Sequence, residues 1–129
     1  MAVTIADSDV LIDYLSGRNP GAGAVGRHLE MGSLCTTAIN RFEILSGVRN
    51  RKEATSVGKL LKALKTLPLN EAAADQAADV RRTLARNGIG IGMADSLIAG
   101  IAVLHKGKLL TRNRRHFERV PGLSLADVS

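Results

Sequence analysis

Short apolar or β-branched runs recur along this chain of 129 residues, and each leads into a segment of helical period. The runs are residues 3–6, 33–36, 66–69 and 108–111, and residues 123–125 read as a further edge strand. Helical patterns fill the intervals: 8–15, 20–31, 38–48, 52–65, 71–86, 92–105 and a short 113–118. Strands joined through helices return parallel, and both faces of such a sheet are covered by helices. The expected fold class is therefore α/β, an α/β/α sandwich around a central, mainly parallel sheet of 4–5 strands. Residues 1–129 read as a single domain, without repeat, linker or low-complexity segment. In sheets of this kind ligands bind beyond the carboxyl ends of the strands. Asp7, Thr36 and Thr37, and the stretch Thr111, Arg112, Asn113 all fall at such ends.

Local signals agree with the alternation. Asp7 or Ser8 can cap the first helix and Gly17 can stop it; Asn70 can cap the long helix that Gly88 ends. Aromatic residues make up only 2% of the chain, so the core must be aliphatic and a base-stacking platform is not expected. The formal net charge of +6 favours a polyanionic partner. Cys35, the only cysteine, can form neither an intramolecular disulfide nor a cysteine-based zinc site. The start MAVTIADSDV lacks a basic region and a long apolar run, and no stretch approaches the roughly 20 apolar residues that span a bilayer. A cytoplasmic protein with no membrane association is expected.

Three carboxylates stand out by placement. Asp7 closes an apolar strand, where a helix cap is the ordinary role for an aspartate. Glu43 sits on the helix after the second strand and shares a face with Asn40 and Gly47. Asp95 lies in the first turn of its helix among Ile91, Ile98, Ala99 and Ala102, an apolar stripe that is costly for a carboxylate without a cation or donor. Brought to one sheet edge, such acids repel and raise one another's pKa, and a divalent cation removes the conflict. Magnesium or manganese prefers oxygen ligands of this kind, and can activate water and neutralise a phosphodiester. Three acids on a basic chain without a His/Cys ligand set point to metal-assisted phosphodiester hydrolysis.

The segment IADSDVLIDYL resembles the opening of PIN domains, with Asp7 as the first metal acid. TTAINRFEILSGV resembles the second motif, with Glu43, and IGMADSLIAGIAVLHKGKLLTRNRRHFERVPGLSL the third and fourth motifs and the usual ending. The resemblance spans nearly the whole chain and is strongest to VapC-type toxins. It implies a PIN fold and a Mg2+- or Mn2+-dependent endoribonuclease that cuts structured RNA such as tRNA or a ribosomal RNA loop. It also implies a homodimer and a cognate VapB-type antitoxin, the two forming a heterotetramer or larger complex in which the antitoxin's C-terminal segment reaches the acidic pocket. Asp7, Glu43 and Asp95 carry over as metal-binding and catalytic residues. Ser8 and Thr111 match positions that hydrogen-bond the acids or metal waters, and Asn40 is a supporting residue. Asn113 stands where many PIN nucleases have an acid; an amide oxygen is the weaker ligand, so a second metal is in question. Asp9 replaces a residue that is usually uncharged, and either supplies the missing charge or lies exposed. Arg112, Arg114, Arg115 and His116 are candidates for RNA contact, with Arg119 nearby.

Two other readings compete. Asp7-Ser8-Asp9-Val10-Leu11 also resembles the opening of haloacid-dehalogenase-like phosphatases, with Asp7 as nucleophile, Asp9 as acid/base and Thr36 or Thr37 on the phosphate. That reading leaves Glu43 and the TRNRRHF segment unexplained. A catalytically silent, RNA- or partner-binding PIN domain is the third class, raised by Asn113. The GxGxxG match at residues 21–26 follows a helix and a proline rather than a strand, so it lacks the setting a dinucleotide site needs. His28 and His105 fit no metal spacing. Lys52, Lys59, Lys62 and Lys65 read as a solvated face.

Overall fold

The computed structural model describes residues 3–129, so Met1 and Ala2, which open the MAVTIADSDV start, lie outside it. Among the described residues five strands are joined through seven helices: β1 Thr4–Ala6, α1 Ser8–Ser16, α2 Gly21–Glu30, β2 Leu34–Thr37, α3 Ala38–Ser46 and α4 Arg51–Ala63. They continue with β3 Lys65–Leu67, α5 Glu71–Arg86, α6 Met93–Leu104, β4 Lys108–Leu110, α7 Arg114–Phe117 and β5 Ser124–Leu125. The sheet order is β3-β2-β1-β4-β5 and every pairing is parallel. The expected mainly parallel sheet is thus wholly parallel, and residues 124–125 do form its edge.

Alternation along the strands builds the layers. In the register Ile5 pairs with Cys35 and Leu109, and Ala6 pairs with Leu110. Ile5, Cys35 and Leu109 pack against Ala73, Val80 and Leu84 of α5, Ile98 and Ile101 of α6, and Phe117. Ala6, Leu34 and Leu110 pack on the other face, against Val10 and Leu11 of α1, Val25 of α2, Ile44 of α3 and Leu60 and Leu61 of α4. Each such Leu or Ile withdrawn from water contributes about 1.5–3 kcal/mol. This period of two, with both faces apolar, is why the strands read as unbroken apolar runs.

Side-chain caps set the helix starts. Asp7, Thr37, Asn50 and Asn70 each accept a backbone N–H of the turn they open. Gly17 ends α1 in the left-handed conformation at φ 71°, which only glycine adopts without strain. Most boundaries differ from expectation by a residue or two, and three elements show why. The helix expected over 52–65 starts at Arg51, because Asn50 caps it, and ends at Ala63. Lys65 then pairs with Cys35, so strand three occupies Lys65–Leu67 rather than 66–69: pairing to β2 outweighs the helical preference of lysine. The helix expected over 38–48 stops at Ser46, with Gly47 as its cap.

Candidate active site

The strand order reverses at β1: β2 and β3 lie to one side of it, β4 and β5 to the other. Asp7 follows β1, Thr37 ends β2 and Thr111 follows β4, so three strand ends present polar side chains to one crevice. Asp7 is 7% exposed and gathers three donors. Its Oδ1 accepts from the Ser8 N–H at 2.8 Å and from Asn40 Nδ2 at 2.8 Å, and Oδ2 accepts from Thr111 Oγ1 at 2.7 Å. Burial holds the Asp7 carboxyl above its ordinary pKa, with the neighbouring charge of Asp9 adding to the effect; the bonds from Thr111, Ser8 and Asn40 act in the opposite direction.

Asn40 links this acid to the next. It is fully buried, and its Nδ2 also reaches Ser8 Oγ at 2.9 Å. Ser8 Oγ donates to Glu43 Oε1 at 2.6 Å, while Thr37 Oγ1 donates to Asn40 Oδ1 at 2.7 Å and fixes the amide. Asn40 is buried where it meets Asp7, and Glu43, one turn on, reaches the solvent-facing mouth.

The third acid arrives from the other side. Asn113 N–H donates to Thr111 Oγ1 at 3.0 Å, its side-chain amide lies 2.9 Å from His116 Nδ1, and that nitrogen lies 3.1 Å from Asp95 Oδ2. A protonated Nδ1 donates to Asp95, whereas a bare Nδ1 accepts from the Asn113 amide, so the tautomer decides which of the two contacts is the hydrogen bond. Hydrogen bonds thus run from Glu43 through Ser8, Asn40, Asp7 and Thr111 to Asn113, and His116 Nδ1 lies between the Asn113 amide and Asp95. Asp95 stands in the first turn of α6, whose cap Gly92 supplies no side-chain acceptor.

The crevice offers carboxylate, amide and hydroxyl oxygens, and the one cysteine is buried in the core. That donor set suits a hard divalent cation rather than zinc. Among the described residues the buried Asp7 carboxyl has no cationic partner, since the adjacent Arg112 guanidinium goes to Asp13 instead. Among the described residues no three Asp, Glu, His or Cys side chains are gathered tightly enough to enclose an ion on their own. Hydrogen bonds from Ser8, Asn40 and Thr111 lie between the acids.

Several expectations for neighbouring residues are adjusted. Asp9 is neither free nor fully exposed: its Oδ2 accepts the Arg112 N–H at 2.9 Å and lies 3.4 Å from Thr111 Oγ1. Of the four candidates for RNA contact, three side chains are engaged within the protein. Arg112 pairs with Asp13, Arg114 Nη1 donates to the Ala126 carbonyl at 2.9 Å, and His116 joins Asn113 to Asp95. Arg115 is exposed and has no side-chain partner among the described residues. The phosphatase alternative loses its phosphate ligands. Thr36 and Thr37 are fully buried, with their hydroxyls donating to the Ala6 carbonyl and to Asn40. Asp13 went unnoticed in the sequence, where it is one acid on an amphipathic helix; only its burial and its distant partner single it out.

Comparison with known proteins agrees with this geometry. Residues 4–123 match the family model of the PIN domain. "Ribonuclease VapC10" of Mycobacterium tuberculosis is 32% identical over 113 residues, covering 88% of this chain and 84% of that protein. "tRNA(fMet)-specific endonuclease VapC" of Shigella flexneri is 29% identical over 106 residues, covering 79% of this chain and 80% of its own. Among solved structures, DNA-bound VapBC from Salmonella typhimurium superposes with a TM-score of 0.86 at 23% identity, covering all of both chains. VapBC2 from Rickettsia felis, bound to a promoter DNA fragment, gives 0.82 at 16% identity over 96% of this chain and 97% of that one. Fold, strand-end acids and relatives converge: the chain belongs to the PIN-domain family, in its VapC branch.

Proposed function

We propose that this protein is the endoribonuclease toxin of a VapBC-type toxin–antitoxin module, hydrolysing phosphodiester bonds of structured RNA in the cytoplasm. The observation that carries the reading is the chain of polar contacts, through Ser8, Asn40, Thr111, Asn113 and His116, that links Glu43, Asp7 and Asp95 at the carboxyl ends of the central strands. Mg2+ or Mn2+ would be held by Asp7, Asp95 and Glu43. When bound, the cation supplies Lewis acidity toward the phosphate oxygens and neutralises the charge of the acids. Asn40 and Thr111 keep both Asp7 oxygens in a fixed orientation. Glu43, exposed at the mouth and steadied by Ser8, is placed to orient the attacking water and accept its proton. Asn113, held by its N–H to Thr111 and by its side chain beside His116, would offer its amide to the substrate phosphate. Water attacks phosphorus in line, the P–O3′ bond breaks and the departing 3′ oxygen takes up a proton from solvent, so the 2′-hydroxyl takes no part and preference for RNA comes from shape and backbone contacts.

Partnership with a VapB-type antitoxin has support on the surface. A groove of about 580 Å³ runs between α1, α3 and α4, its lining mixing apolar Ile12, Leu15 and Val57 with charged Arg49 and Lys52, and including Glu43. An amphipathic segment laid along it would lead into the acidic crevice. A homodimer, and with antitoxin a heterotetramer or larger complex, completes the proposed assembly.

The test is cleavage of a defined tRNA or rRNA-loop transcript by purified toxin with Mg2+ or Mn2+. Asp7→Asn, Glu43→Gln and Asp95→Asn should each lower the rate by at least about 100-fold while the circular dichroism spectrum is kept. Wild-type activity in all three variants would falsify the site. A wild-type protein that binds the transcript without cutting it in either metal would instead be the silent PIN domain.

A further inference from the structure

Arg112 is held twice by α1. Its backbone N–H donates to Asp9 Oδ2 at 2.9 Å. Its guanidinium Nε donates to Asp13 Oδ2 at 2.6 Å, and Nη2 lies 3.3 Å from Asp13 Oδ1. Asp9 and Asp13 are one helical turn apart and present to the same side. The Asp13 side chain is 7% exposed and that of Arg112 47%, so the arginine reaches in from the surface to a buried carboxylate. The fold makes room for that carboxylate. Gly21 opens α2 directly against it, and a Cβ at position 21 would overlap Asp13 Oδ2. The cap of α2, Pro20, supplies no side-chain acceptor, and a helix start of this kind favours a nearby negative charge. Asp13 therefore stands where α1, α2 and the turn after β4 meet.

That turn carries the site. Thr111, just before Arg112, donates to Asp7; Asn113, just after it, donates its N–H to Thr111 and faces His116 and Asp95. We infer that Asp13 is a positioning residue: its ion pair with Arg112 clamps the 111–113 turn onto α1, so that Thr111 meets Asp7 and Asn113 meets the Asp95 side of the crevice. The inference rests on the nuclease reading and adds to it a residue that touches neither the crevice acids nor the substrate. It also gives Arg112 a different role from phosphate contact. Two of its nitrogens face a buried partner that RNA would have to displace, and breaking such a pair leaves an uncompensated buried charge.

Two readouts test this in the full-length protein: steady-state cleavage of the transcript, and amide hydrogen exchange without metal. Asp13→Asn should lower kcat by about 100-fold, the scale of a small misplacement of catalytic groups, with KM changed less than about twofold. Exchange at the Arg112 and Asn113 amides should quicken while β1 and the α5–α6 pair keep their protection. Arg112→Gln should give the same pattern, and Arg112→Lys, which keeps one charged donor, should recover at least tenfold of the lost kcat. If Asp13→Asn fails to fold, Arg112→Gln carries the same test from the exposed side. Were Arg112 a phosphate ligand, Asp13→Asn would free it and lower KM, and Arg112→Gln would raise KM at unchanged kcat; either result overturns the inference. Exchange that quickens equally across β1, α1 and β4 also overturns it, because the pair would then serve only general stability. A wild-type protein that cuts no RNA would sink the nuclease reading, yet exchange at residues 112 and 113 would still decide whether Asp13 holds the turn.

Discussion

Asp7 shows how much a single side chain can be asked to hold. Three donors converge on its two oxygens, and bonds to an ionised acceptor contribute about 1.5–3 kcal/mol each. Burial nonetheless dominates and keeps the carboxyl above its ordinary pKa. The sign follows: the folded protein holds this proton more tightly than the unfolded chain does. The stabilisation this brings is complete below the unfolded value and is lost as pH rises through the raised folded one. In EDTA, Asp7→Asn should therefore melt above the wild type at neutral pH, and the difference should vanish below about pH 3.8, the ordinary carboxyl value. Millimolar Mn2+ should raise the wild-type Tm and leave that of Asp7→Asn unmoved, because a ligand stabilises only the fold that binds it. Thermal scans at several pH values, with and without the cation, check both outcomes. A variant that melts lower than the wild type at neutral pH would show that the carboxylate is already compensated. Asp7 and Asp95 were conspicuous as candidates, one at a strand end and one on an apolar stripe, whereas Glu43, an exposed helix acid, stood out only through the motif that resembles the PIN domain. The joints between the acids were not legible. His116 meets Asp95 across 21 residues and Arg112 meets Asp13 across 99, and no local pattern encodes contacts at such range.

At the scale of elements, the α5–α6 pair fixes where Asp95 stands. Gly100 lies against Ala77, and a Cβ added at Gly100 would come within 2.5 Å of the Ala77 backbone nitrogen. The helices cross so closely that no methyl group fits between them, and backbone cannot swing aside as a long side chain can. Gly100→Ala should lower stability by about 1–3 kcal/mol, the usual cost of overpacking, despite alanine's better helix propensity. Because Asp95 rides on the same helix, a shift of α6 should also weaken cleavage, whereas Gly58→Ala on α4, where a Cβ meets nothing within 4 Å, should be neutral or slightly stabilising. Urea denaturation of the two variants separates the cases; equal stabilities would mean the crossing yields readily. Most elements were legible because their signals are local: Asn70 before an amphipathic run, Gly17 after one, and β-branched runs between helices. The misplaced boundary at Lys65 has the opposite cause. A lysine with good helix propensity becomes a strand residue because β2 offers it a partner, and pairing 30 residues away leaves no trace in its neighbours.

Over the whole molecule, charge and shape divide the work. The acids are drawn into the crevice at the strand ends, while the chain as a whole carries +6. A phosphate backbone is thus attracted from a distance by the net charge and meets negative groups only at the point of cleavage. The parallel sheet makes this division possible, since all its strands end on one edge and every loop from that edge can carry a chemical group. Which basic residues meet the RNA could not be read from a run of arginines, because the fold commits some of them inward. Arg112 and Arg114 are tied to Asp13 and Ala126, and Arg115 remains exposed beside the Asn113–His116 bridge. Arg115→Gln should accordingly raise KM severalfold at unchanged kcat, and should flatten the dependence of log KM on log salt by about one unit, as loss of one phosphate contact does. Arg114→Gln should act differently: it removes a bond to the Ala126 carbonyl, so it should lower Tm and leave the salt slope unchanged. Cleavage measured from about 50 to 200 mM KCl distinguishes the two, the range over which phosphate contacts lose most of their strength. Identical slopes for wild type and Arg115→Gln would place the RNA on another face of the protein, with Arg115 reduced to surface charge.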